Sequence, residues 1–313
     1  MISVIVTNWN GVTLLPDCLD SLRAQTHPDR ELILIDNAST DESVDLVRKE
    51  YPEVIVRQLN ENLGYTGGVN AGFRVATGDV IALLNNDAEA SPTWLEELEA
   101  ALDRHPDAGF AASKMLLYDS RETINSAGDT CAIDGIPGNR GVWQLDDGRF
   151  DQEEFVFGAC GGAAAYRRSM LNQIGFFDQD LFMYCEDVDL AWRAQLAGWR
   201  CVYAPRARVF HRLSATGGGA LASYYNGRNC IRVIAKNYPT SLLRRFWPPI
   251  VRAQGRIAVE ALKAIRGEAA RARLRGQLSA LVGIPRLLRK RAQTQKLRRV
   301  SDQYLLSVLS PID

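Results

Sequence analysis

The sequence predicts an α/β fold, in which a Rossmann-like, mostly parallel sheet is flanked by helices and followed by a basic α-helical extension. Strand-like apolar runs alternate with amphipathic helical runs over the first 90 residues, which is typical of such sheets. Polar side chains follow several of these strands. Charge is divided unevenly, because residues 241–313 hold 16 Lys and Arg against 4 Asp and Glu, a net +12, whereas the remainder carries −12.

The first 90 residues contain four predicted strands, at Ile2–Thr7, Glu31–Ile35, residues 54–59 (VIVRQL) and Val80–Leu84. Predicted helices separate them in the segments LLPDCLDSLRAQ, DESVDLVRKEY and VNAGFRVA, the last preceded by a glycine-rich turn. This spacing predicts parallel strands joined by right-handed crossovers. Ligands of such sheets bind beyond the carboxyl ends of the strands.

The next segments are less regular. We predict a helix in PTWLEELEAALDRHP, a strand in AGFAASKML, irregular loops or a hairpin over residues 119–150, and a helix in RRSMLNQI. A further helix runs from about Val188 to Gly198, followed by the strand RCVYAP and a helix over 220–238. The predicted domains are 1–238, with halves at 1–90 and 91–238, and a basic helical extension over 239–313.

Composition excludes several classes of protein. No run of about 18 apolar residues is present, so no membrane-spanning helix is expected. The amino terminus lacks the features of a signal peptide, and the six cysteines form no C-x-x-C pairs, which favours a cytoplasmic protein. The basic extension carries no nucleic-acid-binding motif, so no nucleic-acid partner is predicted.

Oxygen-bearing side chains end the fourth strand, in the stretch LLNNDAEA. Asn85, Asp87 and Glu89 offer hard oxygen ligands that suit Mg²⁺ or Mn²⁺ together with a diphosphate. An exposed turn is the alternative, since Asn and Asp favour turns. Asp36 ends the second strand, where it could bind a ribose or base, or shape the turn before a helix. The first strand lacks G-x-G-x-x-G after it, which argues against a dinucleotide cofactor.

Three acids, Glu186, Asp187 and Asp189, precede or open a predicted helix. The helix dipole explains one acid at this place. The dipole does not explain three acids within four residues, so one of them is a candidate general base. His211 follows in a polar segment and becomes a candidate metal ligand only if it meets Asp87 in space.

These segments together resemble the family 2 glycosyltransferases, which have the GT-A nucleotide-diphospho-sugar transferase fold. The resemblance covers residues 1–235 and rests on VIVTNWNG, LILIDNASTDES, NLGYTGGVNAG, GDVIALLNNDA, GACGGAAAYRR and FMYCEDVDLAWRAQLAGW. The sequence is most similar in character to bacterial rhamnosyltransferase-type members, with NND in place of the DxD of other members.

The resemblance implies a role for each matching residue. It implies that Asp187 is the catalytic base and that Glu186 supports it. The residues implied to bind the nucleotide sugar are Thr7, Asn10, Asp36, Asn70, Asn85 and Asn86. Asp87 and His211 are implied to hold Mg²⁺ or Mn²⁺, and Gly161 and Gly162 to line the acceptor side.

The implied reaction is an inverting, metal-dependent transfer from a nucleotide sugar, with dTDP-rhamnose as first choice or a UDP-sugar, to a hydroxyl of a glycan or lipid-linked acceptor of the cell envelope. A nucleotidyltransferase and a non-catalytic nucleotide-sugar sensor or scaffold are the alternatives. The basic extension suits either an anionic membrane surface, at the inner face of the plasma membrane, or a second copy of the chain in a homodimer.

Overall fold

The computed structural model describes residues 1–213 and 218–312. Its strands are β1 Ile2–Asn8, β2 Arg30–Asp36, β3 Val54–Gln58, β4 Val80–Asn85, β5 Ala88–Ala90, β6 Ala108–Leu117, β7 Ile124–Ser126, β8 Asp129–Cys131, β9 Pro137–Asn139, β10 Glu154–Val156, β11 Ala163–Arg167 and β12 Arg200–His211. Its helices are α1 Leu15–Arg23, α2 Ser43–Glu50, α3 Gly64–Val75, α4 Trp94–Arg104, α5 Arg168–Ile174, α6 Glu186–Ala197, α7 Gly219–Asn237, α8 Thr240–Lys263, α9 Glu268–Ser279, α10 Ile284–Lys296 and α11 Asp302–Val308.

One large sheet forms the centre of the described chain, in the order β10-β12-β6-β11-β4-β1-β2-β3, with β5 beside β12 and β7 beside β6. The strands β1, β2, β3 and β4 are parallel, as the sequence predicts for the first half. In the second half, β11 runs antiparallel to both β4 and β6. The sheet is therefore mixed, and its parallel part is the half expected to bind a nucleotide.

Both faces of the sheet are covered, which explains why its central strands are apolar without interruption. Alternate residues of β1 point to opposite sides: Val4 and Val6 pack in the cluster that contains Leu98, whereas Ile5 packs in the cluster that contains Trp192. The α/β architecture with flanking helices is thus confirmed.

Three boundaries differ from the prediction. The glycine-rich segment is not a turn, since α3 begins at Gly64 and includes it. The helix predicted from about Val188 begins two residues earlier, at Glu186, which places that acid in its first turn. The last strand continues beyond the predicted RCVYAP as far as His211, because β5 supplies an antiparallel partner there.

The basic extension is helical, as predicted, and packs on the preceding domain. Leu305 of α11 is fully buried in the same core as the sheet. Beyond α11, the backbone pairs with the end of β8: the N–H of Ser310 donates to the carbonyl of Cys131 at 2.9 Å. On α10, Lys290 forms ion pairs with Asp178 and Asp180. None of the helices in the described ranges is long and apolar enough to cross a lipid bilayer.

Candidate active site

The carboxyl ends of the parallel strands bring the predicted donor-side residues to one edge of the sheet. Thr7 lies opposite Asn85 in the pairing of β1 with β4, and Asn8 lies opposite Asp36 in the pairing of β1 with β2. This edge is the place where open α/β sheets bind ligands. The sequence pattern predicted the meeting of these strand ends.

Asp87 and His211 meet directly, although they are far apart in the sequence. The imidazole Nε2 of His211 lies 3.2 Å from Oδ1 of Asp87, and both side chains are largely buried. The antiparallel pairing of His211 with Ala88 fixes this approach, since Ala88 follows Asp87 in the chain. The condition that the sequence set for His211 as a candidate metal ligand is met.

Asn125 determines how the imidazole faces the carboxylate. Its Oδ1 lies 3.0 Å from Nδ1 of His211. Because an amide oxygen can only accept, the Nδ1–H group donates the hydrogen bond. In a neutral ring the lone pair of Nε2 then points towards Asp87, and two acceptors face each other. A cation between them would relieve the repulsion, and a histidine fixed in this way by an outer partner is the usual arrangement at metal sites.

The side chains of Asp87 and His211 therefore fit a divalent cation that takes its remaining ligands from a substrate. In the described part of the chain, no group of three or more His, Cys, Asp and Glu side chains could hold a metal ion. Asp87 and His211 would supply two ligands, and oxygens of a diphosphate would supply others, which is how Mg²⁺ sites in phosphate-transferring proteins are commonly built.

A buried chain of polar side chains underlies the strand ends. The Asp36 carboxylate has no exposed surface and accepts from the Ser39 N–H at 3.0 Å and from Nδ2 of Asn8 at 3.3 Å. Oδ1 of Asn8 in turn accepts from Nδ2 of Asn86 at 2.8 Å. These bonds hold the loops that follow β1, β2 and β4, and the contact of Asp36 and Asn86 with the nucleotide sugar stays a prediction.

Two more predicted donor-side residues have defined contacts. Both polar atoms of the buried Asn70 amide bind the backbone of Phe177, at 2.8 and 3.0 Å, and its place in a nucleotide pocket stays a prediction. Asn10 is exposed, has a left-handed backbone with φ of 52°, and accepts from the Thr40 N–H at 2.8 Å. It joins the loops after β1 and β2.

Asp187 lies in the first turn of α6, at the wall of a cavity of about 390 Å³. Its two carboxylate oxygens accept from the N–H of Gly161 at 3.1 Å and from that of Val188 at 2.7 Å. Burial raises the pKa of Asp187, and these backbone donors oppose the rise. A half-buried carboxylate with a raised pKa is suited to general-base chemistry.

The other two acids of this helix have different surroundings. Glu186 is buried, and its pKa is raised well above the ordinary value by burial and by the charge of Asp187. Asp189 faces away and is paired with Lys236 at 2.6 Å and Arg193 at 3.0 Å. Asp189 therefore stabilises the helix packing, and the two preceding acids remain for chemistry.

The small residues at 161 and 162 leave room at the cavity wall. A Cβ on Gly162 would lie 3.2 Å from Nδ2 of Asn85, closer than ordinary contact. The N–H of Gly161 is the donor that holds Asp187. Both glycines line the cavity.

The same cavity joins several predicted residues with others that the sequence did not reveal. The predicted ones are Asn85, Gly161, Gly162, Glu186, Asp187 and His211. Those added by the structure include Tyr65, Asp129, Asn139, Cys160, Tyr184 and Asn226. Tyr65 belongs to the NLGYTGG segment, so a sequence signal existed for it.

Asp129 is the main residue that sequence reasoning missed. It lies on β8, is buried, and accepts from Nδ2 of Asn139 at 3.0 Å. Burial and the charges of Asp187 and Glu186 raise its pKa well above the ordinary value. It sits in the irregular 119–150 segment, where nothing in the local pattern separates it from the other aspartates.

The backbone that leads into α6 is strained. Phe182, Tyr184 and Cys185 have φ values of 66°, 66° and 64°, in the left-handed region that residues other than glycine rarely adopt. Nδ2 of Asn229 lies within 2.9 Å of the carbonyls of Leu181, Met183 and Tyr184 and holds this segment. Strain of this kind is concentrated at functional sites.

The sequence matches a known protein family and a named relative. Residues 3–175 match the family described as Glycosyl transferase family 2. The chain is 30% identical over 245 residues to an N-acetylglucosaminyl-diphospho-decaprenol L-rhamnosyltransferase of Mycobacterium tuberculosis, a match that covers 72% of this chain and 80% of that protein.

Two further comparisons support the same context. The chain is 29% identical over 229 residues to the O-antigen biosynthesis protein RfbC of Myxococcus xanthus, covering 69% of this chain but only 17% of that much longer protein. Among solved structures, GalNAc-T7 with UDP, GalNAc and Mn²⁺ superposes with a TM-score of 0.63 at 18% identity, covering 79% of this chain and 49% of that one. This last likeness is one of fold.

Proposed function

Because the chain belongs to glycosyl transferase family 2 and is a glycosyltransferase, we propose that it transfers a sugar from a nucleotide-diphosphate donor to an acceptor hydroxyl with inversion, using Mg²⁺ or Mn²⁺. The observation that carries this proposal is that His211, which contacts Asp87, lines the same cavity as Asp187. Family membership sets aside the nucleotidyltransferase and the non-catalytic sensor or scaffold.

The donor lies at the carboxyl ends of β1, β2 and β4. Thr7, Asn10 and Asn85 are the residues there that we propose to contact it. Asp87 and His211 would hold the divalent ion, which supplies positive charge to the diphosphate as it departs. The fold neighbour that contains UDP and Mn²⁺ supports a nucleotide and a divalent ion in this architecture.

Asp187 accepts the proton of the acceptor hydroxyl as that oxygen attacks the anomeric carbon. One C–O bond forms on one face of the sugar while the bond to the diphosphate breaks on the other, and the diphosphate leaves with the bonding electrons. A single displacement inverts the anomeric configuration and needs no enzyme nucleophile. Glu186 supports the base from the same turn of helix.

The relatives guide the choice of substrates. The name of the mycobacterial relative specifies a rhamnose donor and a lipid-linked acceptor, and the myxobacterial relative acts in O-antigen biosynthesis. We propose dTDP-rhamnose as the donor, with a UDP-sugar as the alternative, and a lipid-linked glycan of the cell envelope as the acceptor.

The helical extension presents an apolar and basic surface that suits an anionic membrane. Its large exposed apolar residues are Trp247, Val251, Val259, Leu262, Ile265, Leu278, Leu281, Val282, Ile284, Leu288 and Ile312. Arginines and lysines lie among them, giving the net charge of +12 over residues 241–313. We propose that this surface lies on the inner face of the plasma membrane, since apolar area and positive charge together bind such surfaces.

Vesicle co-sedimentation tests this location. Vesicles containing phosphatidylglycerol should carry the full chain down, and the variant Leu281→Ser with Val282→Ser should remain in the supernatant. A variant that sediments like the wild type would contradict the membrane proposal. Sedimentation velocity of both proteins tests the homodimer that the extension could form instead.

A donor panel tests the reaction itself. The enzyme is incubated with dTDP-rhamnose, UDP-glucose, UDP-galactose or GDP-mannose, with Mn²⁺ or with a chelator, and nucleotide release and product anomeric configuration are measured by NMR. We expect turnover of one donor that requires the metal and Asp87 and gives an inverted product. Retention of configuration, or metal-independent turnover unaffected by Asp87→Ala, would refute the proposal.

A further inference from the structure

A second groove adjoins the catalytic cavity. It has a volume of about 590 Å³ and lies between α7, α8 and α9, and we call it the α7–α9 groove. Pro137 and Asn226 line both the groove and the catalytic cavity. The two spaces are therefore adjacent at these residues.

The groove carries positive charge. Arg256 and Arg273 line it, and the described residues provide neither guanidinium with an ion pair or a side-chain hydrogen bond. The one carboxylate in its lining, Glu260, is paired with Lys263 at 2.7 Å. Two free guanidiniums in a confined groove favour an anion with several oxygens, since arginine binds phosphates through paired hydrogen bonds.

The first turn of α9 strengthens this preference. Ala269 and Ala270 lie in that turn and line the groove. The first N–H groups of a helix have no acceptor within the helix, and the positive end of its dipole favours negative charge. Glu268 also lies in this first turn, so the two arginines supply the main positive charge and the backbone N–H groups add to it.

Arg273 packs against α7, the helix that contributes Asn226 to the catalytic cavity. Burial raises the pKa of the Cys185 and Cys230 thiols, and the guanidinium of Arg273 opposes that rise in both. Cys185 directly precedes Glu186. The backbone of α9 is held against α7 at this level, because a Cβ on Gly227 would lie only 2.6 Å from the carbonyl oxygen of Arg273.

The remaining wall of the groove is apolar. Ile136, Ile257 and Ala261 contribute to it. The helix α8 that carries Ile257 also exposes Val259 and Leu262 on the surface proposed above to face a membrane. The groove thus has arginines and an apolar wall, shares lining residues with the catalytic cavity, and is partly formed by the helix that carries that surface.

We propose that the α7–α9 groove binds the anionic linker of the acceptor, namely the diphosphate and first isoprenoid units of a lipid-linked sugar, with Arg273 and Arg256 pairing the phosphate oxygens. This inference rests on the proposed function, because the acceptor sugar would occupy the catalytic cavity beside Asp187. It adds a diphosphate site that is separate from the donor diphosphate site at Asp87 and His211.

Direct binding of geranyl diphosphate to the full chain tests the site without any turnover. Titrations in a metal-free buffer compare the wild type with Arg273→Gln, Arg256→Gln, Arg275→Gln and Asp87→Ala. Arg275 is the matched control, since it is an exposed arginine of α9 that does not line the groove. Geraniol, which lacks the phosphates, measures the apolar contribution alone.

We expect Arg273→Gln to weaken geranyl diphosphate binding by about tenfold or more, as the loss of a charge-assisted hydrogen bond predicts. Arg256→Gln should weaken it in the same direction, and its exposed position makes it the safer variant for folding. Arg275→Gln and Asp87→Ala should bind as the wild type does. Wild-type affinity in both groove variants, or lost affinity in Asp87→Ala, would overturn the proposal.

Two further arms separate other sources of phosphate. Phosphatidylglycerol vesicles should bind Arg273→Gln and the wild type equally. If the variant lost vesicle binding by the same factor as geranyl diphosphate binding, the groove would be a lipid headgroup site and the proposal would be wrong. Binding of dTDP with Mn²⁺ should depend on Asp87 and not on Arg273. Failure of that arm alone would count against the proposed function and leave the groove assignment supported by geranyl diphosphate.

Discussion

His211 Nε2 lies 3.2 Å from Asp87 Oδ1, and this contact joins the end of the parallel half of the sheet to the end of its last strand. In the proposed metal site, which has NND in place of DxD, the imidazole of His211 would take the place of the second carboxylate. The contact also makes the orientation of the ring, and hence Asn125, important for the site.

Replacement of Asn125 by alanine should weaken Mn²⁺ binding by about 10–100-fold, the range typical for loss of an outer partner of a metal ligand. The reason is that Nδ1 of His211 then loses the oxygen at 3.0 Å that fixes its tautomer. Mn²⁺ affinity in the presence of dTDP is the measurement. The control is Asn139→Ala, an amide of the catalytic cavity that contacts Asp129 instead; equal losses in both variants would contradict the role of Asn125.

Replacement of Asp187 by asparagine should lower kcat by roughly 10²–10⁴-fold, which is the contribution expected of a general base. The asparagine keeps an oxygen that can accept from the N–H of Gly161 or Val188, so the local backbone should be retained. Steady-state rates and dTDP binding are measured together. Unchanged dTDP binding with a lost rate supports the assignment, whereas a parallel loss of both would indicate a structural role.

Glu186 should make folding stability depend on pH. Burial and the Asp187 charge raise its pKa well above 4.5, so above pH 4.5 the folded state keeps a proton that the unfolded state releases. Its contribution is therefore most favourable below pH 4.5 and is lost as pH rises. The gain in unfolding free energy from Glu186→Gln should grow with pH, as measured by urea unfolding. The exposed Glu96→Gln is the control, and a pH-independent difference for Glu186→Gln would disprove the assignment.

Replacement of Lys236 by methionine should reduce the free energy of unfolding by about 3–5 kcal/mol, the usual cost of removing one partner of a buried ion pair. Lys236 lies 2.6 Å from Asp189 and 2.7 Å from Asp178, and its side chain is 6% exposed. Lys263→Met is the control, since its pair with Glu260 is exposed and worth less than about 1 kcal/mol. Similar losses in the two variants would show that the buried network contributes little.

The sequence predicted the parts of the site that lie at strand ends, because parallel strands bring their carboxyl ends to one edge. It could not predict which side chains are already occupied. Asn70 looks available in the sequence, yet its partner Phe177 comes from a distant segment. Similarly, the different surroundings of Asp187 and Asp189 depend on where α6 begins. An error of two residues in that boundary changes the direction in which each carboxylate points.

Asp129 and Asn125 illustrate the limit of periodicity. Asn125 lies on β7 and Asp129 on β8. Both strands are short and belong to the 119–150 segment, where the sequence shows neither a helical nor an alternating pattern. The strands β7 and β8 pair with their near neighbours β6 and β9, but the contact that gives Asn125 its role comes from the distant His211. Such residues become visible only when the tertiary fold is known.

The central claim is that Asp87 and His211 hold a divalent ion that binds the donor diphosphate. The most direct measurement is an isothermal titration of dTDP into wild type, Asp87→Ala and His211→Ala, each with Mn²⁺ and with a chelator. We predict binding to the wild type that requires Mn²⁺ and is strongly weakened in both variants. Binding that is equally tight without the metal and in both variants would contradict the account.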